Sequence, residues 1–75
     1  MTFEVWDRAS GNLLGEFAEA SDAYRLVGEI LEDEGVEGVK SLALLVEDDR
    51  GHTKRVASGQ QLVSLAHGAT AAGAV

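Results

Sequence analysis

A short run at the start of the chain alternates between apolar and polar side chains. Residues 2–7 follow the period of two that is typical of a half-buried strand, and residues 13–18 are predicted to return as a second strand. Between them, residues 8–12 are rich in turn formers, including a glycine and an asparagine that tolerate a positive φ angle. The pattern predicts two antiparallel strands joined as a β-hairpin.

The register of this hairpin follows from which residues share a face. Directly opposed residues lie on the same face of a sheet, so a five-residue loop over 8–12 sets Phe3 against Phe17. The same loop sets Trp6 against Leu14, whereas a loop one residue shorter would set Phe3 against a glutamate. We therefore predict the five-residue loop, with Phe3, Val5, Leu13 and Phe17 on one face and Glu4, Trp6, Leu14 and Glu16 on the other.

A helix is predicted from Ser21 to Gly35. Ser21 is a favourable N-cap residue, and the acidic Asp22 behind it suits the positive end of the helix dipole. Apolar side chains then repeat at i, i+4, i+7 and i+8, and glycine is common just past a helix end. This apolar stripe, which would face the sheet, consists of Ala23, Val27, Ile30 and Leu31.

A third strand over residues 39–47 is apolar on both of its sides. Its alternating positions divide into Leu42, Leu44 and Val46 on one face and Val39, Ala43 and Leu45 on the other. A strand of this kind is covered on both sides, by its central place in a sheet, by a second layer or by a partner. After a turn at 48–52, residues 53–57 are predicted to return as a fourth strand.

Two turn geometries fit residues 48–52. A two-residue turn at Arg50 and Gly51 would pair Glu47 with Lys54, which sets opposite charges across the strands. A three-residue loop with Gly51 in the left-handed region is the alternative. The sequence does not separate these two registers.

The last element is a second helix that follows the fourth strand. Ser58 and Gln61 match the capping box that opens many helices, and apolar residues follow them. Gly68 stands where a helix would end. Residues 68–75 are small and uncharged, so we expect a frayed or disordered tail.

Together these elements predict an α+β fold of order ββα-ββα, with a four-stranded, mainly antiparallel sheet and two helices. Residues 1–67 would form a single domain and residues 68–75 the tail. A chain this short buries only about 60–65% of the surface that its unfolded form exposes, so the core is small. The expected core residues are Phe3, Val5, Phe17, Val27, Ile30, Leu31, Leu42, Leu44, Val46, Leu62 and Leu65.

Composition and charge narrow the choice of partners. The 75 residues include 13 Asp and Glu against 6 Lys and Arg, which gives a net charge of −7 at pH 7. Clustered basic residues hold a phosphate backbone, and here the basic residues are scattered along the chain. We therefore expect no nucleic-acid partner, and any electrostatic attraction would favour a basic protein.

Two further features exclude other classes of protein. The chain has no cysteine, and hence neither a disulfide nor a thiolate metal site. Its longest apolar run, residues 42–46, is far shorter than the roughly 20 residues of a membrane-spanning helix. No charged-then-apolar signal segment opens the chain, so we expect a cytoplasmic protein with no membrane partner.

The residues that commonly carry chemistry are few. The two histidines, His52 in a turn and His67 at a helix end, have no evident nucleophile beside them. The carboxylates Glu47, Asp48 and Asp49 lie near His52, but the alternation at a strand end would direct them to both faces. We therefore expect no enzyme, no catalytic residue, no metal site and no cofactor.

A phosphate-binding site is a weaker hypothesis. Residues 57–60 lead from a strand directly into a helix start, where main-chain amides can bind an anion. The segment is much shorter than a P-loop and lacks its lysine. The predicted capping box explains the same residues without a ligand.

The second face of the sheet offers the strongest functional hypothesis. If both helices cover the face that carries Phe3, four apolar residues lie together on the other face: Trp6, Leu14, Ala43 and Leu45. A contiguous apolar patch marks an interaction surface, and tryptophan is frequent among residues that dominate binding. The leading hypothesis is a non-enzymatic protein-interaction module that forms a homodimer through this face or a sheet edge. If the helices lie on opposite faces, the same residues are simply core.

The alternative function is that of an acidic protein that neutralises a basic partner, in the manner of an antitoxin or a nucleic-acid mimic. Its binding face would be a run of carboxylates at helical spacing, which consists of Glu29, Glu32, Asp33, Glu34 and Glu37. A solvated helix face explains the same residues without any partner.

Several of these motifs resemble those of a group of short, uncharacterised bacterial proteins with the order ββαββα. The resemblance rests on residues 7–17, 42–44 and 56–59, and it covers roughly residues 2–67. It implies a bacterial protein of this fold. Because the shared residues belong to hairpins and caps, no activity or site residue carries over to this chain.

Overall fold

The chain folds into a sheet of four strands and two helices, as seen in a computed structural model that describes the backbone of residues 1–73 and the side chains of residues 1–66. The elements are β1 (Thr2–Asp7), β2 (Asn12–Phe17), α1 (Ala20–Lys40), β3 (Leu42–Glu47), β4 (Thr53–Ser58) and α2 (Gln60–Gly73). The strands lie in the order β2-β1-β3-β4, and each neighbouring pair is antiparallel. The predicted α+β class and ββα-ββα order are confirmed.

The first hairpin keeps the predicted register at its open end and departs from it near the turn. Phe3 opposes Phe17, as predicted, but Trp6 opposes Leu13 and not Leu14. A β-bulge leaves Leu14 as an extra residue on β2, and the loop has four residues where five were predicted. The shorter loop alone would set Phe3 against a glutamate, and the bulge restores its pairing with Phe17.

Asp7 organises the turn between β1 and β2. Its carboxylate accepts hydrogen bonds from the main-chain N–H of Ala9 at 3.0 Å and from the hydroxyl of Ser10 at 2.9 Å. Its carbonyl accepts the N–H of Gly11 at 2.7 Å, and Gly11 has a φ of 76°, which favours glycine. The Ser10 hydroxyl, followed by the Ala9 amide, holds the pKa of the Asp7 carboxyl below its ordinary value.

The start of helix α1 differs from the prediction. The helix begins at Ala20, and its N-cap is Glu19, whose side chain makes no capping hydrogen bond. The predicted N-cap, Ser21, lies inside the first turn and is exposed, so that prediction was wrong. A main-chain bond of 3.2 Å from the N–H of Asp22 to the carbonyl of Glu19 closes the first turn without a side chain.

Helix α1 also continues past its predicted end through a kink. Gly35, the predicted C-terminal glycine, has a φ of 73° and a ψ of −169°, and the helix resumes beyond it as far as Lys40. Val39 therefore lies in the helix, where it is fully buried, and not in the third strand as predicted. The kink lets the last turn of α1 add a side chain to the core before β3 starts at Leu42.

The second hairpin adopts the three-residue loop. The N–H of Asp48 donates to the carbonyl of His52 at 2.9 Å and closes a loop in which Gly51 has a φ of 81°. Glu47 consequently opposes Thr53 and not a lysine. Of the two turns that fit the sequence, the one with Gly51 in the left-handed region is confirmed.

Helix α2 follows β4 after a single residue. Ser58 is the last residue of β4, and Gly59 turns the corner with a φ of 57°. The carbonyl of Gly59 accepts the N–H groups of Leu62 at 3.0 Å and Val63 at 3.2 Å, so main-chain bonds start the helix. Among the described side chains, no hydrogen bond forms the predicted capping box of Ser58 and Gln61.

The end of helix α2 lies beyond the predicted one. The helix passes Gly68 and ends at Gly73, so the predicted boundary between domain and tail falls inside it. Alanine, which has the highest helix propensity, occupies three of the intervening positions and offsets the unfavourable glycine. Residues 74–75 of the predicted tail lie outside the described residues.

Both helices pack on the same face of the sheet. Ten buried residues from α1, α2 and the strands form one hydrophobic cluster between the layers. They are Val5, Ala23, Val27, Val39, Leu42, Leu44, Ala57, Leu62, Val63 and Ala66. Since each helix contributes to the same cluster, no helix within residues 1–73 lies on the opposite face of the sheet.

Most of the predicted core belongs to this cluster or its margin. Five predicted residues are fully buried in it, namely Val5, Val27, Leu42, Leu44 and Leu62, while Phe3, Phe17, Ile30 and Leu31 pack against it partly buried. Val46 is only half-buried, and Leu65 is 41% exposed, so the prediction for Leu65 was wrong. Helix α2 turns Leu62, Val63 and Ala66 inward, which leaves Leu65 on the outer side.

Candidate interaction surface

The open face of the sheet is the face opposite the two helices. Its members follow from the strand registers, because opposed residues point to the same side, and Val5 and Leu44 point to the helices. In strand order they are Leu13 and Glu16 of β2; Thr2, Glu4 and Trp6 of β1; Ala43, Leu45 and Glu47 of β3; and Thr53, Arg55 and Ser58 of β4.

Two rows of residues cross the open face from β2 to β4. The first, called the apolar row after three of its four members, consists of Leu13, Trp6, Ala43 and Ser58. The second, called the charged row after three of its four members, lies next to it and consists of Glu16, Glu4, Leu45 and Arg55. In the apolar row the small Ala43 is only 4% exposed, because it lies between its larger neighbours Trp6 and Ser58.

The residues predicted for the interface are only partly brought together. Trp6, Ala43 and Leu45 are neighbours on the open face, where Trp6 and Leu45 are half-buried. Leu14 is the extra residue of the bulge and is 43% exposed, while Leu13 takes the place beside Trp6. The predicted patch is therefore found with Leu13 in place of Leu14.

The charged row is negative at one end and positive at the other. Glu16 directly opposes Glu4, an arrangement of like charges that destabilises a sheet by some tenths of a kcal/mol. The indole N–H of Trp6 donates to Oε1 of Glu4 at 3.1 Å, which keeps that carboxylate against the sheet. Arg55 lies two strands away, beyond Leu45. The open face thus carries three carboxylates, of Glu4, Glu16 and Glu47, and one cation, Arg55, with Glu16 and Arg55 at opposite ends of the charged row.

Both edge strands of the sheet are interrupted by bulges. On β2 the extra residue is Leu14, and on β4 it is Val56, which lies between Arg55 and Ala57. A bulge breaks the regular row of N–H and C=O groups that a second sheet would need for edge-to-edge pairing. Neither edge of the sheet therefore offers an uninterrupted strand for pairing with another sheet.

The acidic run on helix α1 is solvated. All five of its carboxylates, Glu29, Glu32, Asp33, Glu34 and Glu37, are exposed. Glu37 makes an ion pair of 3.1 Å with Lys40, and exposed pairs of this kind contribute little to stability. The kink at Gly35 separates the first four carboxylates from the last one. The run is therefore divided between two helical segments and does not form one continuous stripe.

The residues around His52 do not form a metal site. The His52 imidazole lies 3.6 Å from the Asp48 carboxylate, and both are exposed at least in part. Asp48 is occupied by the turn itself, since it accepts the N–H groups of Arg50 and His52, each at 2.9 Å. Within the described part of the chain, no group of three or more carboxylates or imidazoles is arranged to hold a metal ion. The side chain of His67 lies outside the described residues.

A shallow groove lies between the end of β2 and helix α1. It has a volume of about 220 Å³ and is lined by Phe17, Asp22, Arg25, Leu26 and Glu29. Arg25 and Asp22 form an exposed ion pair of 3.6 Å beside it. Pockets for small ligands usually enclose about 300–1,000 Å³, so this groove is small and open for such a role.

Comparison with known protein families, with curated proteins and with solved structures found no match. Across the described helices, none combines the length and the apolar character that crossing a membrane requires. No function is therefore transferred from a relative, and the function is argued from the surface itself.

Sequence reasoning did not single out Arg55 or Leu13. The position of Arg55 depends on the turn, because the two-residue turn would set it against Val46 on the helix side. The position of Leu13 depends on the bulge. In both cases one residue of register decides the face.

Proposed function

We propose that this protein is a small, acidic, non-enzymatic protein-interaction module that forms a homodimer through its open face. The observation that carries the proposal is the apolar centre of that face, made by Trp6, Leu13, Ala43 and Leu45, on the side of the sheet opposite both helices. Tryptophan at the centre of such a patch is the residue type most often found to dominate binding. The cytoplasmic location expected from the sequence remains part of the proposal.

The size of the open face sets the expected strength of the dimer. Four strands of six residues make a face of roughly 19 Å by 20 Å, or about 400 Å² per copy. Standard interfaces bury about 800 Å² per partner, so this dimer belongs to the small class. We expect a dissociation constant on the order of micromolar or weaker.

The test is the mass in solution by sedimentation equilibrium, over protein concentrations from about 5 to about 500 µM. We expect the mass to rise from near the 7.9 kDa monomer towards twice that value. Trp6→Ala should shift this rise to much higher concentration, because it removes the largest side chain of the patch. Leu65→Ala, which removes an exposed apolar side chain on helix α2, is the matched control and should behave as wild type.

A second substitution separates an interface effect from a folding effect. Leu45→Glu places a charge in the centre of the open face, and its side chain points away from the core cluster. Circular dichroism should be unchanged while the dimer is lost. A monomer at every concentration of wild type would contradict the homodimer, as would Trp6→Ala and Leu45→Glu proteins that dimerise like wild type.

A second candidate function is the neutralisation of a basic protein by the acidic run. The exposure of all five carboxylates and the net charge of −7 favour it. Reversal of Glu29, Glu32 and Asp33 to lysine should abolish such binding and leave the homodimer intact. Leu45→Glu should abolish the homodimer and leave the binding of a basic protein intact. The triple charge reversal and Leu45→Glu therefore separate the two functions.

A further inference from the structure

We propose that the two copies pack face to face about a two-fold axis that runs parallel to the strands, along the line between β1 and β3. This inference rests on the proposed homodimer and adds its geometry. Such an axis lays β2 of one copy over β4 of the other, and β1 over β3. The strands of the two sheets are then aligned, as they are in the common class of sheet-on-sheet packing.

The charged row carries the argument. Under this axis each residue of the row meets the residue at the mirrored position of the partner copy. Glu16 at one end meets Arg55 of the partner copy, and the symmetry forms this ion pair twice. Glu4 of the same row meets Leu45 of the partner copy, so the charge complementarity is confined to the two ends of the row.

The apolar row fits the same axis. Trp6, its largest side chain, lies over the position of Ala43 of the partner copy, which is 4% exposed and forms the lowest point of the row. Leu13 meets Ser58 of the partner copy. A large side chain over a small one lets two sheets interdigitate at about 10 Å, whereas two facing tryptophans would hold them apart.

The other simple two-fold axis, perpendicular to the strands, is opposed by charge. It lays each strand over its own copy, and where it runs along the charged row, that row meets itself residue by residue. Arg55 would face Arg55, and Glu16 would face Glu16. Like charges in direct contact across an interface cost enough to exclude that position of the axis, and a perpendicular axis placed elsewhere does not form the pair of Glu16 with Arg55.

The test uses two single charge reversals and their mixture. Arg55→Glu sets a glutamate against Glu16, and Glu16→Arg sets an arginine against Arg55, so each should weaken its own dimer on the order of tenfold or more. An equimolar mixture of the two variants should dimerise as wild type does, because both ion pairs of the mixed dimer then join opposite charges. Neither side chain is buried, so both variants should fold.

Two matched controls change the net charge by the same amounts away from the interface. Lys54→Glu changes the residue before Arg55, which opposes Val46 and so belongs to the helix side of the sheet. Glu32→Arg changes an exposed position of helix α1. Both should dimerise within about threefold of wild type. Sedimentation equilibrium of each protein and of the mixture supplies the readout.

The outcomes distinguish the proposed two-fold axis from the proposed homodimer on which it rests. A wild type that stays monomeric overturns both. A wild-type dimer that Leu45→Glu abolishes, but that the two reversals leave unchanged, overturns the axis and keeps the open face as the interface. If both variants dimerise weakly and their mixture also fails to associate, the axis is overturned as well. The pairing of Glu16 with Arg55 is then absent.

Discussion

The kink at Gly35 gives a sharp test of how helix α1 is built. With a φ of 73° and a ψ of −169°, Gly35 lies in a region that is open essentially only to glycine, and another residue there costs about 1–3 kcal/mol. A Cβ added at this position would meet no atom within 4 Å, so the cost is conformational and not steric. Gly35→Ala also lowers the conformational entropy of the unfolded chain, which stabilises the folded state by about 0.4–1 kcal/mol. We expect a net loss of about 1–2 kcal/mol.

That loss is large for a domain of this size. By the usual scaling, 75 residues give a free energy of unfolding of about 4–11 kcal/mol. A loss of about 1–2 kcal/mol lowers the melting temperature by roughly 4–16 °C. Thermal and urea unfolding, followed by the fluorescence of the single Trp6 and by circular dichroism, measure it directly.

The decisive comparison is D-alanine at position 35, introduced by chemical synthesis. For a D-residue the angles at Gly35 are the mirror image of the favourable polyproline II region. The D-alanine protein should therefore be as stable as wild type or slightly more stable. L-Alanine and D-alanine proteins of equal stability would refute the reasoning, because the handedness of the backbone at Gly35 would then be unimportant.

Three further predictions concern the core, the open face and the first turn. Leu44→Ala, at a fully buried site, should cost about 2–5 kcal/mol in urea unfolding, whereas Leu65→Ala should cost less than about 0.5 kcal/mol; similar losses would contradict the assigned core. Glu4→Gln should raise stability by a few tenths of a kcal/mol at low salt, because it removes a like charge opposite another glutamate, and the gain should vanish at about 1 M salt. The pKa of Asp7 is lowered in the folded state, so its contribution is present at neutral pH and is lost as the pH falls through that lowered value. Ser10→Ala removes the first cause of the lowered pKa and should reduce the fall in melting temperature between about pH 6 and 2; an unchanged fall would contradict the role of the Ser10 hydroxyl.

Much of the fold could be predicted because its signals are local and repeated. The alternation at the start of the chain predicts the first strand, the turn after it predicts the second, and the pairing of Phe3 with Phe17 follows from matching apolar residues. Gly51 in a short polar turn predicts the second hairpin. The apolar stripe of helix α1 predicts its buried side, with Ala23 and Val27 fully buried.

The errors arise where one residue has two acceptable conformations. Gly35 is typical of a helix end, but a positive φ also permits a kink after which the helix resumes, and only the burial of Val39 decides between them. Ser21 and Ser58 are good capping residues, yet main-chain bonds start both helices. These choices depend on tertiary packing, which local propensity does not include.

The residues of the candidate site were harder to predict than the fold, because they depend on the register of both hairpins. The four-residue turn around Asp7 and the bulge that follows it decide whether Leu13 or Leu14 stands beside Trp6. Likewise, one residue in the second turn decides the face of Arg55. A side-chain period of two makes every such shift an exchange of faces, so the composition of the open face was the least predictable feature.

The strand order has a consequence for how the chain folds. Each hairpin and each helix forms from residues close in sequence, on a timescale of microseconds. The central pairing of β1 with β3 is different, because it joins Asp7 to Leu42, about 35 residues apart, and Thr2 to Glu47. Closing that loop costs entropy before the shared core rewards it. We therefore expect the pairing of β1 with β3 to limit the rate of folding, because the four-stranded sheet is complete only when the two ββα halves join.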